Sequence, residues 1–437
     1  MKLESNSKIR IDFGGGNLSS DGGLLLMKEF LSKIGFERLA AAKFKTTDGA
    51  KRFHSDVDNL LQVIYQIFSS YNEDDCADEL SNEPVITAAL EKERLASQPT
   101  LSRFFNRMDE STLQQFSDML VALRKIVYRI NPPEQVLFDL DSTLLRLFGN
   151  QEGKGYNVHY ADVGYHPLLC YDSLTGDLLK AELRTGTQYC GKDAAAFMQS
   201  LFDEFNDNYY RTELFLRGDS GFAMPDLFDA CEDNCCKYAI RLKENATLRK
   251  LAAELDEILF DRTKDNAIDY AVVFGEFEYQ AGSWRQPRRV VVKIEKPHGQ
   301  MDHLYTFIVT NMNLPVRDII RFYCNRGTME NLIKEGKNGF DFGAVSFSTM
   351  IVNSNRFQLH CLAYNLFNWF RRLALPKSMR KMQVDTIRLK LIKIAARVAH
   401  KARQLWFRLC SHCPYQDEFR ITLENIQALQ VCILWEP

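Results

Sequence analysis

Four side chains in one stretch of this 437-residue chain have the types and spacing to hold a phosphate beside a carboxylate: Tyr323, Arg326, Glu330 and Lys337. They lie at offsets of zero, three, seven and fourteen. At about 100° per helical residue, that places them within an arc of about 60°. A carboxylate flanked by two cations and a phenol suits a site that binds a metal and grips phosphates on either side of it. The same residues also fit a solvated helix face carrying a Glu330–Arg326 ion pair of little energetic worth.

Two aspartates elsewhere sharpen the first reading. Asp141 ends the apolar run Val136-Leu137-Phe138-Asp139-Leu140-Asp141, and Asp219 follows another in Gly218-Asp219-Ser220-Gly221-Phe222. Hydrolysing a phosphodiester with two Mg²⁺ ions needs several hard oxygen ligands converging on one point. Asp141, Asp219 and Glu330 are therefore the candidate catalytic and metal-binding acids. Each Asp taken alone also reads as a turn or cap residue. Asp139 and Asp141 share one face of a strand, so either can supply the first ligand; Asp141 is preferred.

These acids need a scaffold, and the hydrophobic periodicity describes one. Residues 1–130 read as a helical domain after the glycine-rich Phe13 to Gly16, with Val57-Leu60-Leu61-Ile64 and Phe116-Met119-Leu120-Leu123 at helical spacing. A short helix capped by Ser97, presenting Thr100, Arg103 and Arg107, is a candidate DNA-recognition element or an ordinary bundle helix. Asn131-Pro132-Pro133 breaks the pattern. Strands follow at Val136–Asp141, Tyr165–Tyr171 and Leu178–Arg184, then a helix from Lys192 to Phe205 and a strand from Glu213 to Arg217. Three strands, a helix and a strand make the ribonuclease-H order.

The expected fold is thus α/β, a ribonuclease-H-like core in two pieces, 131–244 and 303–345, interrupted by a β-rich insertion at 245–302. A single long helix from Val316 to about Lys337 would carry the Tyr-Arg-Glu-Lys face. Residues 346–437 form a basic C-terminal region, with helix and hairpin both open for its last part. Between Arg371 and Arg408 stand twelve Lys or Arg against one acid, Asp385, although the whole chain carries a net charge of only −2. Arg388, Lys390, Lys393 and Arg397 are candidate phosphate contacts; a solvated basic face is the alternative.

Together these residues resemble the bacterial DDE insertion-sequence transposases, the cut-and-paste group related to the insertion-sequence-four elements. The resemblance rests on Asp141-Ser142-Thr143, on Asp219-Ser220-Gly221-Phe222, and on Tyr323, Arg326, Glu330 and Lys337 at that group's spacing. It implies metal-dependent cleavage at transposon ends and strand transfer into target DNA, with two Mg²⁺ ions and Mn²⁺ able to substitute. It implies metal ligation by Asp141, Asp219 and Glu330, and DNA contacts from Tyr323, Arg326 and Lys337. Trp284 in the insertion is a candidate to stack on a flipped base, as an aromatic does in some relatives. The implied partner is double-stranded DNA, both terminal inverted repeats and target, bound by a homodimer.

Two rival readings stay open from sequence. Val136 to Leu144 also fits the first motif of haloacid-dehalogenase phosphatases, with Asp139 as nucleophile and Asp141 as acid; a ribonuclease-H-like nuclease that does not transpose is the other. No leader or membrane span is read, so the expected location is the bacterial cytoplasm, on the nucleoid when bound. Eleven scattered cysteines read as reduced thiols, with zinc at Cys410 and Cys413 an open alternative.

Overall fold

The computed structural model describes residues 1–48, 50–264, 270–300 and 302–431. The chain divides into two compact units: Met1–Pro132 with Glu335–Pro437, and Pro133–Lys334. The first boundary falls at the Pro-Pro break.

The second unit is built on an eight-stranded sheet. Its strands, in chain order, are β1 (Gln135–Ser142), β2 (Leu168–Asp172), β3 (Asp177–Glu182), β4 (Glu213–Gly218), β5 (Lys237–Leu242), β6 (Ala271–Tyr279), β7 (Arg288–Lys296) and β8 (Leu304–Thr310). Across the sheet the order is β6-β7-β8-β5-β4-β1-β2-β3. β1 runs antiparallel to β2 and parallel to β4, and β4 runs parallel to β5. Val136, Phe138 and Leu140 on one face and Leu137 and Asp139 on the other are all buried, as expected of a strand covered on both faces. The β2–β3 hairpin turns on Asp172, whose carboxylate accepts from the Leu174 amide and the Thr175 hydroxyl. Helices α1 (Ala194–Asn208) and α2 (Pro225–Asp233) supply the parallel crossovers, α1 from β3 to β4 and α2 from β4 to β5.

Residues 245–302, expected as an insertion, contribute two helices, Ala246–Leu251 and Ala253–Thr263, and the strands β6 and β7. These strands pair onward through β8 to β5, so they extend the main sheet. A smaller sheet of three short strands, Leu145–Arg146, Gly155–Asn157 and Asp162–Tyr165, follows β1.

The long helix expected from Val316 is two. Helix α3 (Val316–Cys324) ends at Asn325, and α4 (Gly327–Gly339) starts after Arg326. Asn325 and Gly327 are both weak helix formers, which accounts for a break between them. Ile319, Ile320 and Tyr323 of α3 pack on Ala239, Val291 and Ile308 of the sheet.

The first unit is mainly helical. Its helix Met350–Leu373 is buried along most of its length, and Phe367 and Phe370 make edge or tilted ring contacts with Phe68 and Phe30. Capping boxes at Ser55 and Asp109 start the helices Asp56–Phe68 and Glu110–Ile130. Near the C-terminus a turn of helix leads into an antiparallel hairpin, Ala396–Lys401 with Gln404–Leu409. No helix among the described residues is long and apolar enough to cross a membrane.

Candidate active site

Asp141 and Asp219 meet where the sheet changes direction. From β1 the chain proceeds to β2 and β3 on one side and returns to β4 and β5 on the other. The carboxyl ends of strands at such a switch point form a crevice where ligands commonly bind in open α/β sheets. The register pairing Leu140 with Gly218 makes Asp141 and Asp219 the next residues along two parallel neighbours. Asp219 also opens the short turn Ser220–Phe222, its Oδ1 accepting from the Gly221 amide at 2.8 Å. A Cβ on Gly221 would lie 2.3 Å from Cys190 Sγ and 3.0 Å from Asp219 Oδ1, so only glycine fits beside this carboxylate.

Asp139 and Asp141 differ in their partners. Asp139 is 0% exposed and accepts from Arg217 Nε and Nη2 at 2.7 and 2.6 Å, with Ser173 Oγ as a further donor. Arg217, itself buried, donates its remaining nitrogen to the Phe322 carbonyl of α3 at 2.7 Å. This pair ties β1, β4 and α3 together and leaves Asp139 no free oxygen. A nucleophilic Asp139, as the phosphatase reading requires, has no route to a substrate.

Asp141 is only partly buried. Its Oδ1 accepts from the Ser142 amide at 2.8 Å, and its Oδ2 lies 3.2 Å from Arg326 Nη2, which also donates to the Leu140 carbonyl. Burial pushes the Asp141 carboxyl up to about 6; the Arg326 charge opposes this, and the charges of Asp219 and Glu330 add to it. The three acids therefore share one electrostatic environment. Glu330 is exposed in the first turn of α4.

Two neighbours had no sequence motif to announce them. Tyr160 donates its hydroxyl to the Ser142 carbonyl at 3.1 Å. Burial and the charges of Asp141 and Asp219 push that hydroxyl up to about 12. The Cys190 thiol, pushed up to about 11 by burial and then by Asp219, stays protonated.

Three of the expected DNA contacts are buried in this structure. Trp284 is 7% exposed, its ring edge-on to Phe228 and Tyr279 and covered by the Arg288 guanidinium, so it packs the fold and offers no face to a base. Arg388 is buried and donates to the carbonyls of Phe68 and Ile67 at 3.0 and 2.8 Å while pairing with Asp385. Tyr323 is buried in the α3–sheet core, where it anchors the helix rather than presenting its ring to solvent. Lys393 pairs with Asp21 at 2.7 Å, Lys390 sits over the Tyr415 ring, Lys337 is partly buried, and Arg397 is exposed.

The donor set suits a hard divalent cation, since carboxylate oxygens are its preferred ligands. Among the described residues no three ligand-type side chains are already gathered at coordination distance. The Arg326 guanidinium offsets part of the negative charge that Asp141 shares with Asp219 and Glu330.

Residues 1–431 match the family described as transposase DDE domain group 1. The chain belongs to that family. It is a transposase, an enzyme acting on DNA. No curated protein matches it by sequence. Among solved structures it is similar to the piggyBac transposase synaptic complex with hairpin DNA, at 14% identity and a TM-score of 0.43, over 85% of this chain and 80% of that one.

Proposed function

We propose that this transposase cuts DNA at the ends of its own element and joins the freed ends to target DNA, using Asp141, Asp219 and Glu330 as its catalytic acids. We further assign the core to the ribonuclease-H-like class and the chain to the group related to the insertion-sequence-four elements. In support, the strand order β3-β2-β1-β4-β5 with helical crossovers after β3 and β4 is that of such a core. The Tyr323, Arg326, Glu330, Lys337 spacing supports the subgroup.

The observation that carries the reading is the placement of Asp141 and Asp219 side by side at the switch point, with Glu330 raising the same carboxyl. Asp141, Asp219 and Glu330 would hold divalent cations, Mg²⁺ as the physiological choice and Mn²⁺ as a substitute. Such ions, when bound, supply Lewis acidity at the phosphate and a water activated for attack at neutral pH. The protein's own groups do the positioning. Arg217 and Asp139 fix β1 against β4, α3 carries the following residues to the strand ends, and Arg326 presents a planar cation beside Asp141 for an incoming phosphate. Lys337, farther along α4, and Arg397 are assigned to the DNA backbone. Holding two ends together calls for a homodimer on DNA, and the cytoplasm of a bacterial cell is the corresponding location.

The test is nicking of a labelled duplex carrying the element's end, with Mg²⁺ and with EDTA, beside hydrolysis of a small phosphoester. Metal-dependent cleavage at the end alone supports the reading. Hydrolysis of the small phosphoester without end cleavage would contradict it.

A further inference from the structure

The C-terminal hairpin carries a charge pattern that its own fold does not satisfy. Its register sets Arg397 opposite Arg408, Ala399 opposite Trp406 and Lys401 opposite Gln404. Side chains alternate along each strand, so these six residues line one face. Arg397, Lys401, Gln404, Trp406 and Arg408 on that face are exposed, and Trp406 is 47% exposed. The opposite face buries Ala396 and Val398 and rests on the body of its unit, where a Cβ on Gly22 would meet Leu409 at 2.6 Å. At its base the first strand also pairs with the short strand Leu18–Ser19, Leu18 opposite Arg397, so the hairpin is two-stranded from Val398 to Phe407. The ribbon is thus anchored on one side and at its base, and open on the other side and at its tip.

Like charges directly opposed across two strands are destabilising. Nothing nearby relieves them: the sequence holds no acid between Asp385 and Asp417, and among the described residues no acid pairs with Arg397, Lys401, Arg403 or Arg408. The tip adds strain. Ala402 and Arg403 both adopt left-handed backbone, at φ 52° and 64°, in a two-residue turn usually made by Asn and Gly. Holding an arginine in that conformation costs free energy, and such costs cluster at binding and catalytic sites. The requirement is for a polyanion that spans the ribbon and has a flat surface for an indole.

Resting on the reading of this chain as a DNA-acting enzyme, we infer that the hairpin Ala396–Leu409 is a DNA-docking ribbon that lies in a groove of duplex DNA. A two-stranded β-ribbon fits the major groove. Arg397, Arg408, Lys401 and the tip Arg403 contact phosphates, while Trp406 lies against sugar or base edges. The carboxylate site, in the other unit, does the chemistry; the ribbon supplies affinity that depends on salt and little on sequence.

The experiment is fluorescence anisotropy of the full chain with a labelled duplex of arbitrary sequence in EDTA, across a salt series. Without metal the carboxylate site does not enter the readout, so ribbon and site fail separately. The double variant R397Q/R408Q is expected to weaken binding about tenfold or more and to reduce the slope of log affinity against log salt by about 2. DNA should also quench Trp406 fluorescence, a change that W406F removes. If Arg397→Gln or Arg408→Gln lowers the melting temperature, the tip variant K401Q/R403Q, which touches no packed side chain, replaces it with the same expectation. Unchanged affinity and slope in folded variants overturn the ribbon, as does a loss confined to single-stranded DNA or RNA. A wild-type chain that fails to bind duplex at all overturns the reading beneath it.

Discussion

The Asp139 carboxylate accepts two hydrogen bonds from Arg217, at 2.7 and 2.6 Å, two residues along the same strand from Asp141. One strand face thus carries an acid locked in an ion pair and the acid proposed for chemistry, and substitutions should separate them. Breaking a buried ion pair from one side leaves an uncompensated charge, which typically costs about 3–5 kcal/mol. Asp139→Ala is expected to lose stability on that scale in urea unfolding, whereas D139L/R217M, which removes both charges, should recover most of it. An Asp139→Ala protein as stable as wild type would remove the lock described here.

Asp141 should leave a signature in the pH dependence of stability. Its folded value is about 6, above the ordinary 3.8. Between these values the folded chain keeps a proton that the unfolded chain has released, so stability falls as pH rises through that window. The cost is complete above about pH 6. Asp141→Asn removes it, and after allowance for its partial exposure should stabilise the metal-free protein by about 1–2 kcal/mol at pH 7.5. The difference should close near pH 4. Thermal melts of both proteins across pH in EDTA check this; a destabilised Asn variant at pH 7.5 would contradict the assignment.

Trp284 predicts the opposite of a base-stacking residue. Emptying its buried site should cost about 3–5 kcal/mol. Trp284→Ala is therefore expected to melt markedly lower, while the folded fraction binds duplex DNA as wild type does. Normal stability combined with weakened binding would restore the stacking role.

Gly221 stands where a methyl group would meet Cys190 Sγ at 2.3 Å and crowd Asp219. Gly221→Ala should shift the turn that holds Asp219, and displacement of a catalytic group by about 1 Å is enough for a loss near 100-fold. Cleavage rates at saturating DNA provide the measurement. Pairing Gly221→Ala with Cys190→Ala should recover part of the loss, since it removes the atom the methyl meets.

Much of this architecture was legible in the sequence because the strands alternate or run apolar in familiar lengths. The run Val136–Asp141 read directly as β1, and Glu213–Arg217 as β4. The placing of Asp141 and Asp219 at the ends of β1 and β4 was legible because each follows an apolar run of strand length. What stayed hidden depends on neighbours far along the chain. Nothing local distinguishes Arg388, which meets carbonyls some 320 residues away, from Arg397, which is exposed. Trp284 beside several arginines looked like a DNA contact, yet Arg288 turns inward to Asp229 and Glu232. The helix break at Asn325–Gly327 was masked by the spacing of the four motif residues, which suits one continuous helix. Tyr160 carries no motif, and only its contact with the Ser142 carbonyl brings it to the site.

The central claim is that Asp141, Asp219 and Glu330 act together on DNA. The most direct measurement is Mg²⁺-dependent cleavage of an end-bearing duplex by Asp141→Asn, Asp219→Asn and Glu330→Gln, with DNA affinity followed in parallel. The account predicts that each variant binds the duplex and cuts it at least 100-fold more slowly than wild type, as expected for groups acting as a unit. Full cleavage by Glu330→Gln, or by either asparagine variant, would contradict it.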